Sequence, residues 1–368
     1  MKIAILTFFE SENYGSVLQA YATQHYFEGL GHTAELLHIK RTVNGSSSHY
    51  APVRKKATFF ERLRYKIVST RKRKSIQQKS KAFEAFRKEY LHVGRYYDSD
   101  EKLKNELEEY DLYISGGDQI WNPYHKVFSL HYMLDFLPDD KPRLAYGSSF
   151  GVPAINNKAI LSDMKEQLAK YRAIGVREQS GVAIINEMGL SATQVLDPVF
   201  LLGQDWRAFV GDRPQKKKYC LVYALIEHPI EERKKIAAFA KKHRLDVVVL
   251  PFNRQNCLNG FRKEFGLSPG EFLNYIAHAE HVFTNSFHGM AFSVLLQKPF
   301  TLLGCASQEG RAKRERLTDM LSRLGIGDRN FENVAEPIDY AAVNEVLSTR
   351  LDESKKYIQE NIERIEVN

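Results

Sequence analysis

Four short stretches of this 368-residue chain place residues able to grip an anion or move a proton directly behind an apolar run. They are Glu12-Asn13-Tyr14-Gly15 after residues 3–8, Gly116-Gly117-Asp118-Gln119 after 111–115, Arg177-Glu178 after 173–176, and Asn285-Ser286-Phe287-His288-Gly289 after 281–284. An imidazole at His288, just ahead of an expected helix, can give or take a proton near neutral pH, and amides at a helix start favour anions. The alternative there is a capping or packed histidine. Arg177 offers a planar fork that binds two oxygens of a carboxylate or phosphate better than lysine does. The commoner alternative is a surface arginine paired with Glu178. The twin glycines at 116 and 117 permit a tight turn and close approach of a ligand to the backbone. The alternative is an ordinary strand-to-helix turn with Asp118 as its cap. A basic run containing Arg311, Arg314 and Arg316 adds either further anion clamps or a solvated loop. Walker, G-x-G-x-x-G, H-E-x-x-H and C-x-x-C patterns are all missing, so neither a nucleotide fingerprint nor a metal or other cofactor is implied.

The elements that must carry these residues alternate regularly. Strands are expected at 3–8, 33–39, 111–115, 144–148 and 173–176, with a last piece at 195–202, and helices at 16–30, 157–170 and 179–187. Asp98 and Glu101 read as a capping-box start to one further short helix. A second run has strands at 219–226, 246–250, 281–284 and 300–303, with helices at 231–243, 269–279, 289–297 and 316–324. A charged helix closes the chain at 340–366. The β-branched run at 246–250 suits a parallel strand buried on both faces. The alternation implies α/β architecture: two Rossmann-like domains, joined near 203–217, whose parallel sheets face a central cleft. The expected division is 1–203, with a basic insert at about 51–96, then 204–339, then the helix of 340–368. Ligands of open parallel sheets bind beyond the carboxyl ends of the strands, where the four stretches lie.

Hydrophobic residues at 43% and aromatics at 12% exclude disordered and fibrous classes. Three scattered cysteines (220, 257 and 305) form no disulfide framework or zinc site and suggest a reducing compartment. No apolar run approaches the roughly 18 residues of a membrane span. The opening six residues read as a first strand rather than a signal peptide. A cytoplasmic protein is therefore expected. The net charge is +8, yet from Arg54 to Arg95 there are 15 Lys or Arg against three acids, a local +12. Phe59, Phe60, Leu63 and Ile67 recur there at helical spacing among cations. One reading is a solvated insert packing an apolar stripe on its domain. A second is contact of segment 54–95 with an anionic membrane. Nucleic acid ranks last and is not expected as a partner, since no helix-turn-helix, RNP or zinc-finger signature accompanies the charge.

The motifs in order carry a resemblance. Asn13-Tyr14-Gly15 with Leu18-Gln19-Ala20, Gly116-Gly117-Asp118-Gln119-Ile120-Trp121-Asn122-Pro123, Gly175-Val176-Arg177-Glu178, Val195-Leu196-Asp197-Pro198, Asn285-Ser286-Phe287-His288-Gly289, and Arg316-Leu317 through Leu324-Gly325 resemble the polysaccharide pyruvyl transferase family over nearly the whole chain. The resemblance implies a GT-B-like fold whose last helix returns to the first domain. It implies phosphoenolpyruvate as donor, a sugar as acceptor, often on a polyprenyl diphosphate carrier, and a pyruvate ketal as product in surface polysaccharide assembly. The enzyme would then work in the cytoplasm at the inner face of the membrane. His288 becomes the expected acid and Asp118 the expected base or acceptor-orienting group. Arg177, Arg316, Arg314, Arg311, Ser286, Asn285 and Gly289 are expected on the donor side, and Asn13, Tyr14, Gly15 and Gln119 on the acceptor side. The chain departs from the family at Ser286, where many members carry arginine, so a cation must come from elsewhere. The rival readings are a GT-B glycosyltransferase using a nucleotide sugar and a member that has lost catalysis.

Overall fold

The computed structural model describes residues 1–40, 59–226, 228–251, 260–305 and 308–366, with backbone only at 59–73, 308–313, 315 and 366. The insert's residues 41–58 and Cys257 lie outside the described residues. The first sheet contains β1 (Lys2–Leu6), β2 (Thr33–Ile39), β3 (Val93–Tyr97), β4 (Leu112–Gly117), β5 (Arg143–Ser148), β6 (Ala173–Val176) and β7 (Thr193–Gln194). All are parallel, in the order β3-β2-β1-β4-β5-β6-β7. The second contains β8 (Tyr219–Ala224), β9 (Asp246–Pro251), β10 (Arg262–Lys263), β11 (His281–Thr284) and β12 (Phe300–Leu302), also parallel, in the order β10-β9-β8-β11-β12. The central strands β4, β5 and β8 are buried along their whole length, as helices on both faces require.

Each sheet grows outward from its first strand, then resumes on that strand's other side. The crevice where the order reverses lies between β1 and β4 in the first sheet and between β8 and β11 in the second. Helix α1 (Tyr14–Gly29) rises from the first crevice, and Asn13 caps it by accepting from the Gly15 amide at 2.9 Å. Helices α2 (Phe59–Tyr90), α3 (Asp100–Asn105), α4 (Lys158–Leu168) and α5 (Gln179–Glu187) belong to the first unit. The cap of α3 is Ser99, which accepts from Lys102, and not Asp98: the shorter hydroxyl side chain sits at the residue that keeps extended backbone. The second unit has α6 (Ile230–His243), α7 (Pro269–His278), α8 (Phe287–Leu295) and α9 (Gln308–Arg323). A Ser268–Glu271 capping box starts α7. The edge strands β3 and β10 are too short and too polar to read as strands from their residues alone. Residues 195–202, the last piece of the first half, form a short extended stretch and a 3-10 turn at Pro198–Phe200, because Asp197 caps that turn.

A seam of aromatic rings joins the two units. Tyr14 stacks on Phe272 at 4.5 Å and donates to the Leu267 carbonyl at 3.3 Å. Trp206 lies between Tyr21 and Phe292. Helix α10 (Tyr340–Glu366) begins on the second unit, where the Tyr340 hydroxyl donates to Lys298 O at 2.6 Å. It ends on the first, where Tyr357 donates to Ala145 O at 2.9 Å and Ser354 accepts from the Leu196 amide at 3.0 Å. The last helix therefore returns to the first unit.

Candidate active site

Arg177 directly follows β6, and the strand's end delivers it to Asp118, which trails β4. Its side chain is buried, which overturns the surface reading. Nη1 donates to Asp197 Oδ2 at 3.0 Å, Nε to Glu178 Oε2 at 3.2 Å, and Nη2 to Asp118 Oδ1 at 2.9 Å and Ser149 Oγ at 3.2 Å. The ring of Phe287 lies 4.1 Å from the guanidinium carbon. Glu178 is itself tied down by Ser149 Oγ and the Gly151 amide. Burial works against the charge on Arg177, but Asp118, Glu178 and Asp197 outweigh it and raise its pKa. Three carboxylates thus surround one guanidinium, so Arg177 is not the open anion fork expected from its position.

Asp118 also departs from expectation. A turn, not a helix, follows Gly117, so Asp118 is no cap. Burial opposes its ionisation, yet Arg177, Arg316 and His288 hold the carboxyl well below the usual range. A carboxylate held so firmly in its charged form is a poor proton acceptor. The glycines before it serve the fold rather than a ligand. A Cβ on Gly116 would lie 2.0 Å from Tyr146 O, and one on Gly117, at φ +120°, would meet the Gln19 amide and Thr7 Oγ1 at 2.6 Å.

His288 and Arg316 complete the centre. His288 stands in the first turn of α8, and its ring presses on Gly15 so closely that a Cβ there would lie 2.2 Å from Nδ1. Its Nε2 is 3.7 Å from Asp197 Oδ2 and has no hydrogen-bond partner. Burial lowers the pKa of this histidine, and the opposing pull of Asp197 and Asp118 does not reverse the direction. The imidazole is therefore neutral at pH 7 before any ligand arrives. Arg316 enters from α9 with a side chain only 12% exposed, its Nη1 3.6 Å from Asp118 Oδ1. Neither Nε nor Nη1 of Arg316 has a hydrogen-bond partner, and burial lowers its pKa. A small pocket opens here, walled by Arg177, Asp197, Phe287, Arg316 and Asp319. On its wall the Nε and Nη1 of Arg316, and beside Asp197 the Nε2 of His288, hold hydrogen-bonding capacity that the protein itself leaves unused.

The other expected residues have work in the fold. Asn285 accepts from the Leu225 and Ile226 amides and donates to Ile226 O at 2.8 Å, fixing the turn after β8. Ser286 caps α8 by accepting from Gly289. Gly289 has no room for a side chain, since a Cβ would lie 2.3 Å from Thr284 Oγ1. Arg314 turns toward Asp328 at 3.9 Å instead of joining the donor side, and the side chain of Arg311 lies outside the described residues. Asn13 is a helix cap and Tyr14 is buried in the seam, so neither side chain is free to line an acceptor groove. Gly15 contacts His288. Gln119, with φ 55°, accepts from Asn122 and lies against Gly151. Asp197, Ser149 and Phe287 had no assigned role. For Asp197 a signal existed, an acid-proline pair behind two apolar residues. Ser149 and Phe287 resemble any buried serine or phenylalanine until the fold brings them to Arg177.

A family model described as polysaccharide pyruvyl transferase matches residues 13–307. No curated protein matches the chain. Among solved structures, it is similar to UDP-GlcNAc 2-epimerase from Neisseria meningitidis bound to UDP-GlcNAc, with 11% identity and a TM-score of 0.52, covering 99% of this chain and 100% of that one. It is also similar to UDP-N-acetylglucosamine 2-epimerase from Rickettsia bellii, with 10% identity and a TM-score of 0.51, covering 100% and 97%. At such identity these likenesses speak to the fold alone, which is of the GT-B type.

Proposed function

The chain belongs to the polysaccharide pyruvyl transferase family, and from that premise we propose that it moves the pyruvyl group of phosphoenolpyruvate onto two hydroxyls of a sugar, forming a ketal and releasing phosphate. The observation that carries this reading is that His288 Nε2, beside Asp197, and the Nε and Nη1 of Arg316, beside Asp118, are buried in one charge cluster without hydrogen-bond partners. A small dianion can claim that unused capacity, and the first-turn amides of α8 add to the attraction. Arg316 then supplies the cation that Ser286 does not. Arg177 acts one step back, holding Asp118 and Asp197 in place.

Bound negative charge beside His288 raises the pKa of the imidazole and equips it as an acid. The imidazolium gives its proton to the methylene carbon of the donor, and the adjacent carbon becomes oxocarbenium-like. One sugar hydroxyl adds to that carbon, and its proton returns to the imidazole. The bond between this carbon and the phosphate oxygen then breaks as the imidazole protonates the leaving phosphate. The second hydroxyl closes the ketal and gives its proton back to the imidazole. Of the two hydroxyl protons, one accounts for the new methyl group and one for the phosphate. Asp118, too acidic to be the base, orients Arg316 and the acceptor. The acceptor is a sugar on a polyprenyl diphosphate carrier.

The test is incubation with phosphoenolpyruvate and a panel of lipid-linked and free sugars, following phosphate release and product mass. Phosphate release with a ketal-bearing product supports the reading. Thermal stabilisation by UDP-sugars and none by phosphoenolpyruvate would transfer the case to a nucleotide-sugar enzyme.

A further inference from the structure

Asp319 lines the pocket but takes no part in the proton transfers of His288. It stands on α9 one turn beyond Arg316, and a spacing of three residues puts both side chains on one helix face. That face helps to close the pocket that Arg177, Glu178, Asp197 and Phe287 also wall. Asp118, Glu178 and Asp197 are each bonded to the Arg177 guanidinium. Asp319 has different company: the Gln194 side chain of β7, which hydrogen-bonds to it, and Arg323, the next turn of its own helix.

The charge of this centre does not by itself welcome an anion. Were Asp118, Glu178, Asp197 and Asp319 all ionised, with His288 neutral, their charge would exceed that of Arg177 and Arg316. A phosphate brought to Arg316 would then meet net repulsion. A proton on Asp319 reduces that excess and turns an acceptor in the pocket wall into a hydrogen-bond donor. Its surroundings lean that way. Burial is the main reason this carboxyl ionises less readily than usual, and Glu178 acts in the same direction. Arg323 and Gln194 oppose the shift without reversing it. Arg316 on the same helix and Arg177 behind β6 also face the pocket, Asp197 shares its wall, and His288 stands beyond Asp197. On α10, Arg350 and Glu353 face Arg323. Bound phosphate adds negative charge to this set, so it favours the protonated carboxyl further.

We propose that Asp319 contacts the phosphate group of the bound donor as an acid, its O–H donating to a phosphate oxygen, so that the pocket takes up phosphoenolpyruvate together with a proton from solvent. The proton leaves again when the pocket empties, and no covalent bond of the donor changes. The inference rests on the reading of this pocket as the seat of the donor.

The experiment is calorimetric titration of phosphoenolpyruvate into the full chain and into Asp319→Asn, from about pH 5 to about pH 8, with inorganic phosphate in a parallel series. Asparagine keeps the size and a donating group but cannot ionise. The ratio of the wild-type to the variant Kd cancels the titration of the ligand and of His288. It should lie near one at the acid end. With rising pH it should widen by about tenfold for each pKa unit that the bound anion adds to Asp319. Asp319→Ser, smaller and also unable to ionise, should show the same widening. A ratio that stays flat, or variants that lose affinity relative to wild type as pH rises, would overturn the proposal. Phosphoenolpyruvate bound with a flat ratio sinks the role of Asp319 and leaves the donor reading standing. Inorganic phosphate bound with a widening ratio, while phosphoenolpyruvate is refused, supports Asp319 and removes the donor reading. Binding of neither anion overturns both.

Discussion

At the scale of residues, the centre divides into groups held by the protein and groups left open. Arg177 belongs to the first kind. Replacing it with alanine leaves Asp118, Glu178 and Asp197 without their shared partner. Breaking a buried pair in this way costs about 3–5 kcal/mol, so chemical denaturation of Arg177→Ala should show a large stability loss. A normal midpoint with only a raised donor KM would return Arg177 to the role of open clamp. Arg316 belongs to the second kind. Arg316→Ala should raise the donor KM with a smaller change in stability, since its Nε and Nη1 make no hydrogen bond in the protein and Nη1 stands 3.6 Å from Asp118. His288→Ala should lower kcat by about 100-fold or more if the imidazole moves the protons. Near-normal turnover excludes that role.

At the scale of elements, β11 carries a pH liability at its first residue, the end of the strand away from the site. His281 is buried with its Nε2 on Thr301 Oγ1 at 2.8 Å. Burial first, then the charges of Arg329 and His243, lower its pKa to about 3. The native state therefore binds fewer protons than the unfolded chain below the ordinary value near 6.5. Stability is full above that value and is lost as pH falls toward 3. His288 shifts in the same direction. From pH 7 to pH 5, His281 alone should remove about 2 kcal/mol. Urea midpoints across that window check this, and His281→Phe should flatten the slope.

At the scale of the whole molecule, the two units meet through Tyr14. Its ring is stacked on Phe272 from the second unit and lies near Phe83 of α2, one residue before the glycine that touches His288. Tyr14→Ala should cost about 3–5 kcal/mol, as loss of a large buried aromatic does, and should lower turnover by loosening that contact. Tyr14→Phe keeps the stack and loses only the bond to Leu267 O, so it should cost about 1 kcal/mol. Equal effects from the two variants would show that the hydroxyl, and not the ring, ties the units together.

Much of this molecule is legible in its residue order. Alternating apolar runs and amphipathic segments determine parallel sheets, because a strand buried on both faces must be apolar throughout and its helices must cover it. The positions of β2, β6, β11 and α5 follow directly from that periodicity. So does the gathering of Asp118, Arg177 and His288, since each trails the carboxyl end of a parallel strand. Partner choice was not legible. That Arg177 is saturated while Arg316 is open depends on distances between residues far apart in the chain, as does the use of Asn285 and Tyr14 for structure. Hydrogen bonds and buried charges are settled by geometry at the level of an ångström, which residue order constrains only through the completed fold.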